Sequence, residues 1–131
     1  MEIKIKIIGL LKRLNVFDSV NFIMLYGSHA NGKNTPRSDI DISISLKSPR
    51  KDRLRVRMAL AGELPDIYDI QIFEDLPLQV KMEVLKGRLM YCKDKDDLAS
   101  QAMQLKKEYE DFLPRYRYYI TGVRHAKRAS I

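Results

Sequence analysis

The sequence predicts a mixed α/β fold, of the α+β kind, because strand-like and helix-like segments alternate along its 131 residues. Three runs rich in β-branched and aromatic residues predict strands at 20–26, 39–46 and 67–73. Segments of helical character follow the second and third runs, at 50–61 and 77–86. A chain of this length suits one hydrophobic core, so we expect a single domain over 1–131.

The first predicted strand ends in a turn that suits a phosphate group. Val20 to Tyr26 is a mostly apolar run, and Gly27-Ser28 follows it directly. Gly27 has no Cβ, so the backbone can turn there and a phosphate can approach closely. Ser28 adds a hydroxyl at a position typical of a helix N-cap, where backbone N–H groups and the helix dipole favour an anion. The turn is therefore a candidate site for a triphosphate.

The second predicted strand carries a pair of carboxylates. Polar and apolar residues alternate strictly from Asp39 to Leu46, which is the period of a strand with one covered face. Asp39 and Asp41 therefore point to the same face. Ser43 and Ser45 share that face, and we interpret them as polar strand positions rather than catalytic groups. Because neighbouring carboxylates repel each other without a cation, and Mg²⁺ prefers carboxylates with water and phosphate oxygens, the pair is a candidate metal site.

A third carboxylate is predicted from the third strand. Asp69 and Gln71 share the polar face of this strand, and Asp69 is the acid on that face. Asp66 lies beside a proline in the preceding turn, and Glu74 has the opposite parity and lies beyond the strand end. We therefore select Asp69 on parity alone.

Together these residues resemble the nucleotidyltransferase superfamily that includes DNA polymerase β. The resemblance rests on Gly27-Ser28, ten intervening residues, Asp39-x-Asp41, and Asp69 on a later strand. It implies a small mixed β-sheet covered by helices, in the order αβαβαβα.

A narrower resemblance covers roughly residues 20–120. The segment 68–73, followed by Pro77 and by 83–91, is similar to the minimal nucleotidyltransferase (MNT) proteins, the antitoxins of HEPN–MNT toxin–antitoxin pairs. This resemblance implies an enzyme that uses ATP and Mg²⁺, with two metal ions. It further implies transfer of AMP to a tyrosine of a cognate HEPN toxin, with which the chain would form a hetero-oligomer.

The resemblance also implies roles for individual residues. Gly27 and Ser28 would hold the triphosphate. Asp39 and Asp41 would bind the metal ions. Asp69 would complete the metal site and help to deprotonate the attacking hydroxyl. These three aspartates are thus the implied catalytic and metal-binding residues.

The chain departs from the family pattern in the glycine turn. Family members commonly read Gly-Ser-Arg-Ala-Arg-Gly, whereas this chain has His29 and Asn31 in place of both arginines. Lys33 and Arg37 are candidates to supply the missing positive charge to the nucleotide. Two alternatives stay open: an antitoxin that neutralises its toxin by binding alone, and nucleotidyl transfer to a small molecule or an RNA end.

The ends of the predicted helices are set by glycine, proline and hydrophobic spacing. Residues 3–14 fit a strand or a helix, and the family resemblance favours a helix. We expect the helix at 50–61 to end at Gly62 and the one at 77–86 to close at Gly87.

A long helix is predicted in the C-terminal extension, at about 94–131. Apolar and aromatic residues recur there at alternating spacings of four and three, which is typical of a helical seam. The seam consists of Leu98, Ala102, Leu105, Tyr109, Phe112, Tyr116, Tyr119 and Val123. Pro114 falls within it and is expected to kink the helix or restart it. Core packing and a partner interface both stay open for this seam.

Charge and cysteine content bound the remaining possibilities. The net charge is +7, and five Lys or Arg residues lie in each of two segments, 50–57 and 114–131. We favour a solvated basic surface over nucleic-acid binding, because no recognised nucleic-acid motif accompanies these segments. Attraction of ATP, or of an acidic or RNA-associated partner, stays open as a third alternative. No apolar stretch approaches 18 residues, so no membrane span is expected. The single Cys92, expected in a short buried strand, excludes an internal disulfide and favours the cytoplasm.

Overall fold

Four strands and five helices alternate along the chain. The computed structural model describes residues 2–35 and 39–129, with the side chains of all of these except 31 and 115–129. The elements are α1 (Glu2–Arg13), β1 (Val20–Tyr26), α2 (Ser28–Asn31), β2 (Ile40–Leu46), α3 (Arg50–Glu63), β3 (Tyr68–Ile72), α4 (Leu78–Leu85), β4 (Arg88–Cys92) and α5 (Lys95–Ala129). Short 3₁₀ turns precede β1, at Phe17–Ser19, and follow β3, at Phe73–Asp75.

The strands form one mixed sheet in the order β3-β2-β1-β4. β1 pairs antiparallel with both β2 and β4, whereas β2 pairs parallel with β3. The parallel pair is joined through α3, because parallel neighbours need a crossover connection. The predicted mixed α+β fold with a long C-terminal helix is confirmed, and β4 adds a fourth strand to the expected αβαβαβα order.

Each face of the sheet has its own hydrophobic core. On one face, Ile42, Ile44 and Ile72 are buried against α1 and α3. On the other face, Phe22 stacks edge-on against Phe73, with ring centroids 5.0 Å apart, beneath α4 and α5. Full burial of one such side chain contributes about 1.5–3 kcal/mol, so these two layers hold the sheet in place.

The polar face of β2 is covered rather than solvated. Ser43 and Ser45 are both completely buried. The Ser45 hydroxyl donates to Glu74 Oε2 at 2.7 Å, and the backbone N–H of Leu46 donates to Glu74 Oε1 at 2.9 Å. Glu74, which strand parity excludes from the site, therefore has a structural role: it satisfies buried polar groups at the far end of β2.

The start of α5 is fixed to the sheet through Asn21. This side chain is 5% exposed, and it donates to Asp97 Oδ2 at 3.1 Å. Its own Oδ1 accepts from the backbone N–H of Asp94 at 3.1 Å. Asp94 in turn caps the helix by accepting from the N–H of Asp97 at 3.0 Å, and Lys47 bonds the Asp97 carboxylate. The start of α5 is thus fixed at the ends of β1 and β2 that lie opposite the predicted site.

Several predicted boundaries shift, each for a local reason. The helix at residues 3–14 is confirmed as α1. The α3 helix runs through Gly62 to Glu63, because a single glycine weakens a helix without ending it. Gly87 does follow the last turn of α4, as predicted.

β4 is less buried than predicted because it lies at the edge of the sheet. Met90 is buried, but Leu89 is 44% exposed and Cys92 is half-buried. The expected restart at Pro114 is wrong, since α5 continues through it. One proline removes one hydrogen bond from a helix of 35 residues, and the turns on both sides hold. Among the helices of the described ranges, none is both long and apolar enough to cross a membrane.

Candidate active site

The turn after β1 depends on Gly27 for two reasons. Its backbone lies at φ 75° and ψ −151°, a conformation that L side chains rarely adopt. In addition, a Cβ at this position would collide with the carboxylate of Asp41. Gly27 itself is the N-cap of α2, and Ser28 is the first helical residue rather than the expected cap. The glycine therefore allows the turn and lets the carboxylate lie against the backbone.

The loop that follows is held by its own backbone. The N–H of Ala30 donates to Gly27 O at 3.2 Å, and the N–H of Lys33 donates to Ser28 O at 3.0 Å. Gly32, at φ 75°, closes α2 after a single turn. Gly27 and Ser28 are thereby fixed at the end of β1, beside the start of β2.

Asp41 lies at the centre of a row that crosses three strands. It pairs with Tyr26 on the antiparallel strand β1 and with Asp69 on the parallel strand β3. The side chain of Asp69 lies close enough to that of Asp41 to raise its pKa by charge and by hydrogen bonding. Asp69 Oδ1 also accepts from Gln71 Nε2 at 3.0 Å. Sheet register thus brings together two acids that lie far apart in the sequence.

Burial and neighbouring negative charges raise the pKa values of two residues in this row. Burial raises the pKa of Asp41 above its usual value, and the charges of Asp69 and Asp39 raise it further. The hydrogen bond with Asp69 acts in the same direction, whereas the nearby His29 lowers the pKa of Asp41. Burial, followed by the charges of Asp41 and Asp69, raises the pKa of Tyr26 to about 12. A cation bound between the acids would relieve this repulsion.

The residues present fit Mg²⁺ as a two-carboxylate site. Within residues 2–35 and 39–129, no three His, Cys, Asp or Glu groups converge as a metal-ligand cluster. Mg²⁺ does not require such a cluster, because one or two carboxylates, waters and substrate phosphates commonly complete its octahedral shell. Asp41 and Asp69 would hold the ion, and the ion would neutralise charge on the triphosphate.

The other predicted site residues lie around this pair. Asp39 is exposed just before β2, near enough for its charge to act on Asp41. Lys33 is exposed in the loop after α2. Arg37 lies outside the described residues. Its proposed contact with the nucleotide, like that of Lys33, stays a prediction.

Three residues of this region were missed by the sequence reasoning. Tyr26 and Gln71 flank the acid pair, and His29 places a compensating charge near Asp41. The position of Tyr26 directly before Gly27 was a usable signal, but its contact with Asp41 depends on the pairing of β1 with β2. His29 is half-buried in α2, close enough to lower the pKa of Asp41.

The fold and the site define a nucleotidyltransferase. The model of the polymerase beta nucleotidyltransferase family matches residues 6–96, which include β1, α2, β2 and β3. The chain belongs to this family.

A curated relative and two solved structures extend the comparison. The relative, from Methanocaldococcus jannaschii, is named "Putative protein adenylyltransferase MJ1547", and it is 38% identical over 95 residues, or 72% of this chain and 74% of the relative. A toxin–antitoxin crystal structure with AMP-PNP superposes with a TM-score of 0.72 at 22% identity, over 92% of this chain and 97% of the other. A complex of tri-AMPylated Shewanella oneidensis HEPN toxin with MNT antitoxin gives a TM-score of 0.67 at 20% identity, over 92% and 94% of the chains. At these identities the two structures show a common fold.

Proposed function

We propose that this chain is the MNT antitoxin of a HEPN–MNT pair. In this role it transfers AMP from ATP to a tyrosine of its cognate HEPN toxin, in an Mg²⁺-dependent reaction. The observation that carries the proposal is the pair Asp41 and Asp69, aligned on neighbouring strands, with Asp41 against the Gly27 turn. Carboxylates that can hold a metal ion beside a turn that can hold phosphate are the arrangement that metal-assisted phosphoryl transfer uses.

The similar proteins support the proposed reaction, its substrate and its partner. The relative from Methanocaldococcus jannaschii carries the name of a protein adenylyltransferase, which is the same reaction class. One structural neighbour contains AMP-PNP, a non-hydrolysable form of ATP, and another contains a toxin already modified with AMP. ATP as the substrate and a HEPN toxin as the partner therefore suit this chain.

Each residue receives a role in the proposed reaction. Gly27 and Ser28 bind the triphosphate through the turn, and Lys33 and Arg37 add positive charge. Asp41 and Asp69 would hold the metal ion, and the metal-binding role predicted for Asp39 rests on its charge reaching Asp41.

The proposed step exchanges one bond to the α-phosphorus for another. The tyrosine oxygen of the partner attacks that phosphorus, the bond to the bridging oxygen of pyrophosphate breaks, and the tyrosine proton passes to the Asp69 carboxylate. Asp69 suits this proton transfer because Gln71 fixes its orientation by a hydrogen bond of 3.0 Å.

The experiment is AMP transfer in a reconstituted pair. The chain is mixed with its cognate HEPN protein, ATP and Mg²⁺, and the toxin is weighed by mass spectrometry. We expect a mass gain of AMP that is lost in the double variant Asp39→Asn with Asp41→Asn. The matched control, Asp18→Asn with Asp66→Asn, removes the same charge at two exposed positions and should retain the activity. Equal modification by both double variants would refute the site.

A second candidate is an antitoxin that works by binding alone. The length of α5 favours this candidate, because a helix of 35 residues is longer than the small sheet needs as a cover. Its Met103 side chain is 74% exposed and could contact a partner. The same experiment separates the two candidates. If no variant modifies the toxin and all of them still neutralise its RNase activity, binding is the function.

The compartment and the domain limits belong to the same proposal. We place the protein in the cytoplasm, because its lone Cys92 suits a reducing environment.

We treat residues 1–131 as one domain, supported by the shared sheet between its two cores. Limited trypsin digestion that released a stable smaller fragment would contradict the single domain.

A further inference from the structure

A basic groove runs along the edge of the sheet next to the acid pair. It lies between α3 and the edge strand β3 and encloses about 460 Å³. Its lining consists of Arg50, Arg53, Leu54, Arg57, Gln71, Ile72 and Asp75. None of the roles proposed above uses the three arginines, which lie on α3 together with two further Lys or Arg residues.

Two of the three arginines are available to a ligand. Arg50 and Arg57 are exposed, and seven residues place them two turns apart on one face of α3. Among the described residues, neither makes an ion pair. Arg53 is already engaged, since it donates to Asp75 at 2.8 Å and to the backbone oxygen of Ser48 at 2.8 Å. Within the described residues, the groove therefore has the guanidinium groups of Arg50 and Arg57 without an ion pair, and between them Arg53, which is hydrogen-bonded to Asp75 and Ser48.

Besides the arginine side chains, the groove contains the backbone of the edge strand β3. β3 is the end strand of the sheet, and within the described residues it pairs with β2 alone. The outer edge of such a strand can pair with an extended segment of another chain. The exposed side of Leu54, at 53%, gives the same segment an apolar contact.

The groove is coupled directly to the acid pair. Gln71 lines the groove, and its side chain donates to Asp69 Oδ1 at 3.0 Å. Asp69 in turn lies opposite Asp41 on the neighbouring strand. A segment paired along the outer edge of β3 would alternate its side chains between the α3 face, where the arginines lie, and the opposite face, where the Asp69 side chain lies.

We propose that this groove binds an acidic, extended segment of the protein acceptor and positions its hydroxyl at Asp69. The inference rests on the proposed function, because it assigns the acceptor-binding surface of that same site. A protein segment fits better than RNA, since the groove lining contains no aromatic side chain on which a base could stack.

Binding of a simple probe tests the groove without any catalysis. The probe is a fluorescein-labelled ten-residue glutamate peptide, and its anisotropy is measured with the full chain in the absence of ATP. The variant Arg50→Glu with Arg57→Glu should weaken binding about tenfold or more, because like charges would then face the peptide. The matched control Lys51→Glu with Arg55→Glu makes the same charge change on the same helix outside the groove, and it should change affinity less than about twofold.

Two results would overturn the assignment. Equal loss of peptide binding in both double variants would mean that net charge, and not the groove, attracts the peptide. Tighter binding of a ten-nucleotide oligouridylate RNA, lost only in Arg50→Glu with Arg57→Glu, would make the groove a nucleic-acid site.

A second measurement separates this inference from the proposed function. In AMP transfer to the HEPN protein, Arg50→Glu with Arg57→Glu should raise the KM for the toxin about tenfold and leave kcat and AMP-PNP affinity within about twofold. An unchanged KM would refute the groove while the proposed function stands. If the parent chain transfers no AMP but binds the peptide through Arg50 and Arg57, the proposed reaction fails and the acidic-segment site stands.

Discussion

Asp41 and Asp69 occupy paired positions on the parallel strands β2 and β3, and the Asp69 side chain raises the pKa of Asp41. The backbone of Gly27 approaches this pair so closely that a single added carbon would collide with Asp41. The arrangement concentrates negative charge in a partly buried position, which destabilises the metal-free protein. A cation bound between the two carboxylates would relieve this repulsion.

The first prediction concerns the pH dependence of stability. Because the pKa of Asp41 is raised in the folded protein, the native state keeps this proton at pH values where the unfolded chain has released it. The free energy of unfolding of the metal-free protein should therefore fall as pH rises from about 4 through the raised pKa. Asp41→Asn removes the titration and should therefore raise the melting temperature at pH 7.

Thermal melts at several pH values, without metal, check this prediction. Addition of Mg²⁺ should stabilise the parent protein more than Asp41→Asn, since only the parent keeps both carboxylates. Identical pH profiles for the two proteins would mean that Asp41 carries no electrostatic strain.

The second prediction concerns the glycine turn. Gly27→Ala should lower the free energy of unfolding by about 1–3 kcal/mol, because the residue combines a positive φ with a collision at Asp41. It should also weaken AMP-PNP binding. Gly9→Ala is the matched control: a Cβ there meets nothing within 4 Å, and alanine should stabilise α1 by about 0.5–1 kcal/mol. Urea denaturation of both variants should therefore give changes of opposite sign.

The third prediction concerns the attachment of α5. Asn21→Ala leaves the backbone N–H of Asp94 and one oxygen of Asp97 without their buried partner. The expected cost in urea denaturation is about 1–3 kcal/mol. Asn34→Ala, at an exposed loop position, should stay within about 0.5 kcal/mol of the parent. If Asn21→Ala lowers the free energy of unfolding by less than about 0.5 kcal/mol, α5 is held mainly by its apolar contacts.

Much of the fold could be predicted because it depends on local pattern. The run Val20–Tyr26 is the observed strand β1, residue for residue. The alternation from Asp39 to Leu46 correctly separated the face of Ile42 from the face of Asp41. Parity also selected Asp69, which the structure places beside Asp41.

What the sequence could not provide depends on tertiary contacts. Parity says which face Ser43 and Ser45 occupy, but only the packing of the Phe73–Asp75 turn shows that this face is buried. The register that aligns Asp41 with Asp69 depends on strand order, which no single strand encodes. Likewise, the continuation of α5 through Pro114 depends on the stability of the whole helix rather than on one residue.

The central claim is that the pair of Asp41 and Asp69 transfers AMP. The most direct measurement is the initial rate of AMP incorporation into the cognate HEPN toxin by Asp69→Asn, followed by mass spectrometry at saturating ATP and Mg²⁺. Asp66→Asn, three residues away and exposed, is the matched control. The account predicts that Asp69→Asn lowers the rate about a hundredfold or more while Asp66→Asn keeps the parent rate. A parental rate in Asp69→Asn would contradict it.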